Sequence, residues 1–212
     1  MECRMDGRVA LITGASTGLG KAMAETFAQS GAAVALVARR PDPLNEVAEA
    51  IKAAGGTARA YPCDVTKADQ VSATYAAAVK DFGKIDILIN NAGQSAAMPF
   101  EQVTDQMWQD DLDLKLFAAI RFTRLAFPDM KSRRWGRIIN VLATAAKAPG
   151  AGSTPTSVSR AAGMALMKAL SNEGAPHNVL VNALLVGLIE SDQWVRRHAK
   201  TAHNQPYEEW LQ

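Results

Sequence analysis

The sequence is poor in cysteine and contains no long apolar run. Cys3 and Cys63 are its only two cysteines, too few for a disulfide framework or a four-thiolate metal site, so we expect no bound metal. No apolar stretch approaches the ~20 residues needed to span a bilayer, and the first residues lack the apolar segment of a secretion signal. These absences predict a protein of the reducing cytoplasm that does not enter a membrane.

Net charge is also low. The 23 basic and 21 acidic side chains nearly balance, with a formal charge of +2, and the one local basic cluster consists of Arg133, Arg134 and Arg137. A nucleic-acid-binding surface requires a longer basic stripe, so we interpret this cluster as a solvated helix end and expect no nucleic-acid partner. The 48% hydrophobic content suits a single domain over residues 1–212 with a substantial core.

Short apolar runs alternate with longer segments of helical periodicity. The runs are almost continuously apolar, which is typical of parallel strands buried on both faces. The predicted strands are Val9–Thr13, Ala33–Val37, Ala58–Tyr61, Ile85–Ile89, Arg137–Leu142 and Val179–Leu185. The predicted helices are Gly18–Ser30, Pro43–Ala54, Lys67–Phe82, Asp105–Arg133 and Thr156–Glu173. This alternation predicts a doubly wound α/β (Rossmann) fold, with helices on both faces of a parallel sheet of six or seven strands.

A glycine-rich segment follows the first predicted strand and opens the first predicted helix. It reads Thr-Gly-Ala-Ser-Thr-Gly-Leu-Gly over residues 13–20. In a dinucleotide site, Gly14 permits a tight turn, Gly18 lets the backbone approach the pyrophosphate and Gly20 allows close helix packing. The helix N-terminus supplies N–H donors. The adjoining strand and helix favour such a site over an ordinary glycine-rich turn.

The end of the second predicted strand indicates which dinucleotide is bound. An NAD site has a carboxylate here that binds the ribose 2′-hydroxyl, but residues 37–40 read Val-Ala-Arg-Arg. Arg39 is suited to the 2′-phosphate of NADP(H), and the hydroxyls of Ser16 and Thr17 are further donors. We therefore expect NADP(H) rather than NAD(H). The alternative is that Arg39 and Arg40 only cover the surface.

Further motifs follow the later predicted strands or lie within them. They are Asp64-Val65, Asn90-Asn91-Ala92-Gly93, the stretch from Gly136 to Asn140, and Val181-Asn182. Together with residues 13–20, they resemble the short-chain dehydrogenase/reductase family over most of the chain, from about Asp6 to about Asp192. The resemblance implies an oxidoreductase that binds NAD(P)(H) and transfers a hydride between this cofactor and a small carbonyl or alcohol substrate.

The resemblance also implies which residues bind the cofactor. Asp64 and Val65 match the pair that contacts the adenine. The loop beyond the sixth predicted strand departs from the family's Pro-Gly and the threonine that binds the carboxamide, but Gly187 and Ser191 could keep that contact. The expected cofactor-binding residues are Gly14, Ser16, Thr17, Gly18, Leu19, Gly20, Arg39, Asp64, Val65, Asn90, Ala92, Gly93, Arg160, Gly187 and Ser191.

The four positions of the family's catalytic tetrad all carry other residue types. Thr156 stands in place of the tyrosine that acts as general acid and base, and Arg160 in place of the lysine. Ala143 replaces the serine that orients the carbonyl, and Lys115 replaces the asparagine. An aliphatic hydroxyl is a poor proton donor, whereas Arg160 could still bind the nicotinamide ribose while keeping its own proton. The pattern predicts conventional activity that is weak or absent, as in a pseudoenzyme.

Lys115 is the residue that could replace the missing proton donor. Tyr61, Tyr75 and Tyr207, the only three tyrosines, all lie in segments that should not reach the nicotinamide. Lys115 and Arg160 would place two cations near the nicotinamide ribose, and each disfavours charge on the other, which makes Lys115 a usable donor. The alternative is that Lys115 pairs with Asp111 or another carboxylate.

Three functions remain open at this point. The chain is an oxidoreductase with an altered proton relay, an inactive cofactor-binding regulatory protein, or a structural subunit beside an active relative. The resemblance implies a homo-oligomer, a dimer or tetramer, assembled through the last two predicted helices. The apolar residues of the last one, from Val158 to Leu170, could pack on the sheet or on another subunit. The family normally adds a seventh strand, so either the molecule is naturally short or, as we expect, the sequence lacks its true C-terminal end.

Overall fold

One parallel sheet organises the chain. The computed structural model describes residues 4–187 and, beyond them, residues 189, 198, 199 and 206. The described strands are β1 (Val9–Thr13), β2 (Ala33–Ala38), β3 (Thr57–Pro62), β4 (Ile87–Asn90), β5 (Gly136–Ala143) and β6 (Val179–Val186). They form a six-stranded sheet in the order β3-β2-β1-β4-β5-β6, which confirms the doubly wound α/β fold.

Helices connect the strands on both faces of the sheet. They are α1 (Gly18–Gln29), α2 (Pro41–Ala53), α3 (Ala68–Phe82), α4 (Asp105–Leu112), α5 (Ala118–Ser132) and α6 (Thr156–Gly174). None of the helices in the described part of the chain has the length and apolar character that crossing a membrane requires.

The core consists of two apolar layers, one on each face of the sheet. Val9 and Leu11 of β1 face the layer that includes residues of α3, α5 and α6. Ala10 and Ile12 face the opposite layer, which includes residues of α1 and α2. Successive side chains of a strand point to opposite faces, so coverage of both faces buries every residue of β1. This double coverage explains why the sequence shows continuous apolar runs instead of alternation.

The predicted helix Asp105–Arg133 is wrong in one respect, because it is not continuous. A π-helical turn at Asp113–Phe117 separates α4 from α5. Such a turn inserts an extra residue and changes the direction of the side chains around it. Lys115 lies at the centre of the turn and is buried. Apolar periodicity did not reveal this break, since both flanking segments keep helical spacing.

Helix α6 buries a different face from the one that its alanines suggest. Gly163 and Met167 are buried, and a Cβ on Gly163 would lie 3.0 Å from Leu142 of β5. Val158, Ala165 and Ala169 of the predicted apolar face are instead exposed. The absence of a side chain at position 163 brings the helix close to the sheet there, so the alanine-rich side points outward.

The arginine cluster predicted as a solvated helix end is instead partly built into the fold. Arg133 donates to the buried carboxylate of Asp86 at 2.7 Å and to the carbonyl of Ile85 at 2.7 Å. Arg137 and Arg8 both stack on the ring of Trp135, with guanidinium-to-centroid distances of 4.4 and 3.6 Å. This cluster lies at the amino end of β1 and β5, opposite the carboxyl ends where the glycine-rich segment begins.

Candidate functional site

Strand order places the candidate site at the carboxyl ends of β1 and β4. Connections leave β1 toward β2 and β4 toward β5, in opposite directions along the sheet. A crevice opens at such a reversal, and ligands of doubly wound folds bind there. The segment Gly14–Gly18 follows β1 and the segment Asn91–Gly93 follows β4, so the two motifs found in the sequence meet at this crevice.

The glycine-rich segment packs too tightly for larger residues. Gly14 has a φ of +68°, and Gly18 has a φ of +54°, a region that side chains other than glycine rarely adopt. A Cβ on Gly20 would lie 2.1 Å from the carbonyl oxygen of Gly14 and 2.6 Å from Nδ2 of Asn91. Gly20 therefore lets the first turn of α1 press against the loop that precedes it.

The N-terminus of α1 is free of competing acidic groups. Its N-cap residue, Thr17, has extended backbone and makes no side-chain capping bond, and no acidic residue lies in the first turn. The first N–H groups of a helix have no partner within it, and the helix dipole favours an anion there. Ser16 and Thr17 are half-buried beside this turn, whereas Gly18 and Leu19 are exposed.

Thr13 and Asn91 join the two loops, a contact that sequence reasoning missed. Thr13 Oγ1 accepts hydrogen bonds from the backbone N–H groups of Asn91 and Ala92, both at 3.0 Å. Asn91 Nδ2 donates to the carbonyls of Thr13 at 3.0 Å and Gly14 at 3.3 Å. The available signal was the place of Asn91 in the Asn-Asn-Ala-Gly motif after the predicted fourth strand, but the resemblance indicates its neighbour Asn90 as the binding residue.

Asn90 itself points away from the crevice. Its side chain is buried and its Nδ2 donates to Thr123 Oγ1 of α5 at 3.3 Å. Ala92 and Gly93 follow at the crevice, where a Cβ on Gly93 would lie 2.6 Å from Nη2 of Arg160. The chain therefore brings Gly93 and Arg160 together and leaves Asn90 within the packing of the sheet against α5.

Arg39 and Asp64 lie just beyond the carboxyl ends of the neighbouring strands β2 and β3. Arg39 is exposed after β2. Burial raises the pKa of Asp64, but donation from the backbone and hydroxyl of Thr66 and the nearby charge of Arg39 outweigh it and lower the pKa overall. Thr66 donates to Asp64 Oδ1 at 3.0 and 2.8 Å, while the side chain of Val65 is buried.

Lys115 forms a buried ion pair with Asp111, the alternative that the sequence left open. Asp111 lies on α4 and Lys115 in the π turn, and their side chains are 2% and 0% exposed. Lys115 Nζ donates to Asp111 Oδ1 and, at 2.9 Å, to Thr156 Oγ1 at the start of α6. Ser159 Oγ donates to the other carboxylate oxygen of Asp111 at 2.5 Å. The contact with Thr156 joins two residues that sequence reasoning had assigned to the catalytic centre.

The charges around Lys115 act on it in opposite directions. Burial lowers the pKa of Lys115, the hydrogen bond and charge of Asp111 raise it, and the charge of Arg160 lowers it, with a net lowering. Arg160 is subject to the same conflict, because burial lowers its pKa and Asp111 raises it. Among the described residues, both cations therefore depend on the one carboxylate of Asp111 for their electrostatic compensation.

Arg160 reaches back to β5 with one of its terminal nitrogens. Its Nη1 donates to the carbonyl of Val141 at 2.7 Å, and its buried Nε makes no hydrogen bond within the described residues. Ala143 ends β5 nearby and contributes only a methyl group. Gly187 is exposed just beyond β6, and Ser191 lies outside the described residues.

The comparisons with known proteins agree with this geometry. The sequence profile of the short chain dehydrogenase family matches residues 8–202. The chain belongs to the short-chain dehydrogenase family. The short-chain reductase protein NovJ of Streptomyces niveus is 38% identical over 181 residues, which are 85% of this chain and 69% of NovJ.

Two solved structures of the short-chain dehydrogenase family are also similar. L-Sorbose reductase from Gluconobacter frateurii, complexed with NADPH and L-sorbose, has a TM-score of 0.94 and 33% identity, covering 99% of this chain and 81% of that chain. A 7α-hydroxysteroid dehydrogenase complexed with NADH and 7-oxo glycochenodeoxycholic acid has a TM-score of 0.86 and 33% identity, covering 90% and 74%. Members of the family thus bind NADPH or NADH and act on small molecules.

Proposed function

We propose that the chain is a single-domain, NADP(H)-binding oxidoreductase that acts on a small carbonyl or alcohol compound and has weak or no conventional activity. The observation that carries the proposal is the pair of loops joined by Asn91, in which Gly14 and Gly20 leave no space for a side chain. Backbone approach to a pyrophosphate requires this kind of close packing at the start of a helix. Family membership supports the same cofactor class.

NADP(H) is favoured over NAD(H) by charge at the end of β2. Arg39 is exposed there, and the nearby Asp64 carboxylate already accepts two hydrogen bonds from Thr66. A guanidinium is suited to a phosphate monoester, whereas a ribose 2′-hydroxyl calls for a carboxylate. The similar L-sorbose reductase was solved with NADPH, but the 7α-hydroxysteroid dehydrogenase was solved with NADH, so the proposed preference rests on the side chains of this chain alone.

We assign the four tetrad positions of the family to Lys115, Ala143, Thr156 and Arg160. Under this assignment Thr156 stands where the family has its tyrosine, and Arg160 stands where the family has the lysine that lowers the pKa of that tyrosine. Arg160 has a buried Nε without a hydrogen-bond partner among the described residues, a group that is suited to a ribose hydroxyl or a water. The cofactor, when bound, supplies the hydride, and the assigned residues would bind the ribose and handle the proton.

The cofactor preference can be tested with two neighbouring arginines. We expect Arg39→Ala to weaken NADPH binding about 10- to 100-fold, the range for loss of a charged hydrogen bond, with NADH binding unchanged. Arg40→Ala is the matched control, since Arg40 is also exposed but precedes α2 as its N-cap residue. Equal effects of the two substitutions, or none from Arg39→Ala, would contradict the assignment.

A second candidate is a cofactor-binding protein without catalytic activity, which would act as a regulatory protein or as a structural subunit. It is favoured by the contacts that hold the two buried cations within the protein, because Lys115 is held by Asp111 and Arg160 by the Val141 carbonyl. Tight NADPH binding combined with no oxidation of NADPH over a broad panel of aldehydes and ketones would select this candidate. Measurable turnover of any of these compounds would exclude it.

Assembly and location are further parts of the proposal. An apolar groove of about 260 Å³ runs between α5 and α6, lined by Ile120, Phe127, Pro128, Leu166 and Leu170 among others. The exposed alanine side of α6 lies on the same helix, so we assign this surface to a homo-oligomer, a dimer or tetramer. Light scattering of the parent protein and of Leu166→Glu tests the assembly.

We place the protein in the cytoplasm, since its described cysteine, Cys63, is an unpaired buried thiol.

A further inference from the structure

We infer that Ser159, Asp111, Lys115 and Thr156 form a buried proton-donating network that ends at the crevice, with the Thr156 hydroxyl as the terminal donor and Asp111 as the positioning residue. The inference rests on the proposed function, because it requires a carbonyl substrate beside Thr156. It goes beyond that function by naming the group that donates the proton and the residues that hold it in place.

Thr156 has one hydrogen-bonding capacity left, and it is a donor. Its Oγ1 accepts from Lys115 Nζ at 2.9 Å and from the backbone N–H of Ala96 at 2.9 Å. A hydroxyl has two lone pairs and one proton, so both acceptor positions are filled. The proton of Thr156 is therefore directed to a third partner, and the residue is only half-buried.

Asp111 fixes the position of the ammonium group behind Thr156. Its two oxygens have separate partners, Lys115 on Oδ1 and Ser159 on Oδ2 at 2.5 Å. The Ser159 hydroxyl also lies 3.0 Å from the carbonyl oxygen of Thr156. The carboxylate is thus held by α6 as well as by the π turn, and neither of its oxygens can turn away without losing a charged or short hydrogen bond.

The proton path is balanced at each atom. In carbonyl reduction the electron pair of the C=O bond would take the proton of Thr156, while the hydride supplied by a bound cofactor would form the new C–H bond. The Oγ1–H bond of Thr156 breaks as a proton from Lys115 Nζ replaces it, so the hydroxyl does not carry a full negative charge. Lys115 would be left as a neutral amine, and it would regain a proton from solvent water through the half-buried Thr156 after the product has left.

The charged groups around Lys115 suit this exchange. Among the described residues, those that face it are Asp111 on α4 and Arg160 on α6. Burial and Arg160 make the ammonium group a stronger acid, while the hydrogen bond and charge of Asp111 favour its protonated form. Loss of Asp111 would remove the one charge that raises the pKa of Lys115.

Two substitutions at position 156 test the terminal donor. We expect Thr156→Val, which keeps the shape and removes the hydroxyl, to lower the rate of carbonyl reduction with NADPH by about 100-fold, the lower range for general acid catalysis. Thr156→Ser should keep most of the parent rate. Thr154→Val is the control, because Thr154 also bonds to the segment after β4 through its hydroxyl, which lies 3.3 Å from the Met98 carbonyl oxygen. This substitution should leave the rate near that of the parent protein.

A pH profile tests the positioning role of Asp111. Reduction requires protonated Lys115, so the rate falls as pH rises through the pKa of Lys115. In Asp111→Asn this fall should occur at lower pH than in the parent protein, whereas a substitution that only loosens the fold would lower the rate at all pH values. NMR titration of the Lys115 ammonium group gives the same shift without turnover.

The outcomes separate this inference from the proposed function. NADPH titration of the parent protein comes first, and no binding would overturn both. Binding without reduction of any aldehyde, ketone or 1,2-dicarbonyl compound would overturn the network and leave the cofactor assignment standing. Equal rates for Thr156→Val and the parent protein, or an unshifted pH profile in Asp111→Asn, would also overturn it.

Discussion

The hydroxyl oxygen of Thr156 lies 2.9 Å from Nζ of Lys115, across 41 positions of the chain. The π turn at Asp113–Phe117 carries Lys115 into the packing between α4 and α6, and α6 begins at Thr156. A buried ammonium group is retained there because Asp111 compensates its charge. Thr156 thus places a hydroxyl, in contact with Lys115, at the position where the family, by our assignment, has a tyrosine.

Replacement of Lys115 should affect both stability and activity. Lys115→Met leaves the carboxylate of Asp111 buried without its partner, and loss of one member of a buried pair costs about 3 kcal/mol or more of the free energy of unfolding. Addition of Asp111→Asn should restore part of that loss. Urea denaturation measures the stability, and NADPH oxidation with a carbonyl compound measures the activity. Unchanged carbonyl reduction in Lys115→Met would contradict a role for Lys115 in proton donation.

The tight packing of Gly20 predicts that even one methyl group disrupts the cofactor site. In Gly20→Ala the new Cβ would lie 2.1 Å from the Gly14 carbonyl oxygen, so the backbone of the loop or of α1 must move. We expect NADPH affinity to fall by about tenfold or more and thermal stability to decrease, since overpacking costs about 1–3 kcal/mol. Gly150→Ala is the control, because its Cβ would meet nothing within 4 Å. Parent-like affinity in Gly20→Ala would contradict the site.

The Asn91 bridge predicts a loss of cofactor affinity without contact with the chemistry. Asn91→Ala removes both hydrogen bonds to the carbonyls of Thr13 and Gly14 and loosens the glycine-rich segment. Two bonds of about 1 kcal/mol each correspond to roughly tenfold to thirtyfold weaker NADPH binding. Calorimetric titration measures the change, with the exposed Asn45 of α2 replaced by alanine as the control. Equal affinities of the two variants would exclude the bridge from cofactor binding.

Asp86 predicts a specific pH dependence of stability. Burial raises its pKa, but donation by Lys84, the Val9 amide and Arg133 outweighs burial and lowers the pKa overall. A carboxyl group with a pKa below its unfolded value stabilises the protein above about pH 4, and this contribution is lost as the pH falls through the folded pKa.

Asp86→Asn should therefore lower the free energy of unfolding at pH 7 by about 1–3 kcal/mol and by less near pH 3. Urea denaturation at the two pH values measures the difference. Glu49→Gln is the control, because its ion pair with Lys52 is largely exposed and contributes little. An equal loss at both pH values would show that the charge of Asp86 is not responsible.

Much of the fold could be predicted because its signals are local. Strand β1 has the bounds that its apolar run predicts, Val9–Thr13, and the glycine-rich segment opens α1 at Gly18 as expected. Helix α6 shows the limit of this reasoning. Its alanines suggest a buried face, yet contact with Leu142 requires Gly163 to face the sheet, and helical periodicity does not distinguish a small residue in a close contact from a surface residue.

The candidate site could be predicted only where a family motif marks it. Position 156 was identified in this way, but its contact with Lys115 depends on the π turn, which leaves no signature in apolar spacing. Ser159 was missed for a related reason, since a serine within a helix is unremarkable until its partner Asp111 is known. Such contacts join segments far apart in the chain, and they follow from packing rather than from local pattern.

Calorimetric titration of the parent protein with NADPH and with NADH tests the central claim most directly. The account predicts binding of NADPH at least about tenfold tighter than that of NADH, because one charged contact with Arg39 is worth about 1.5 kcal/mol or more. Failure of both cofactors to bind would contradict the cofactor site that Gly14, Gly20 and Asn91 form, and tighter binding of NADH would contradict the role of Arg39.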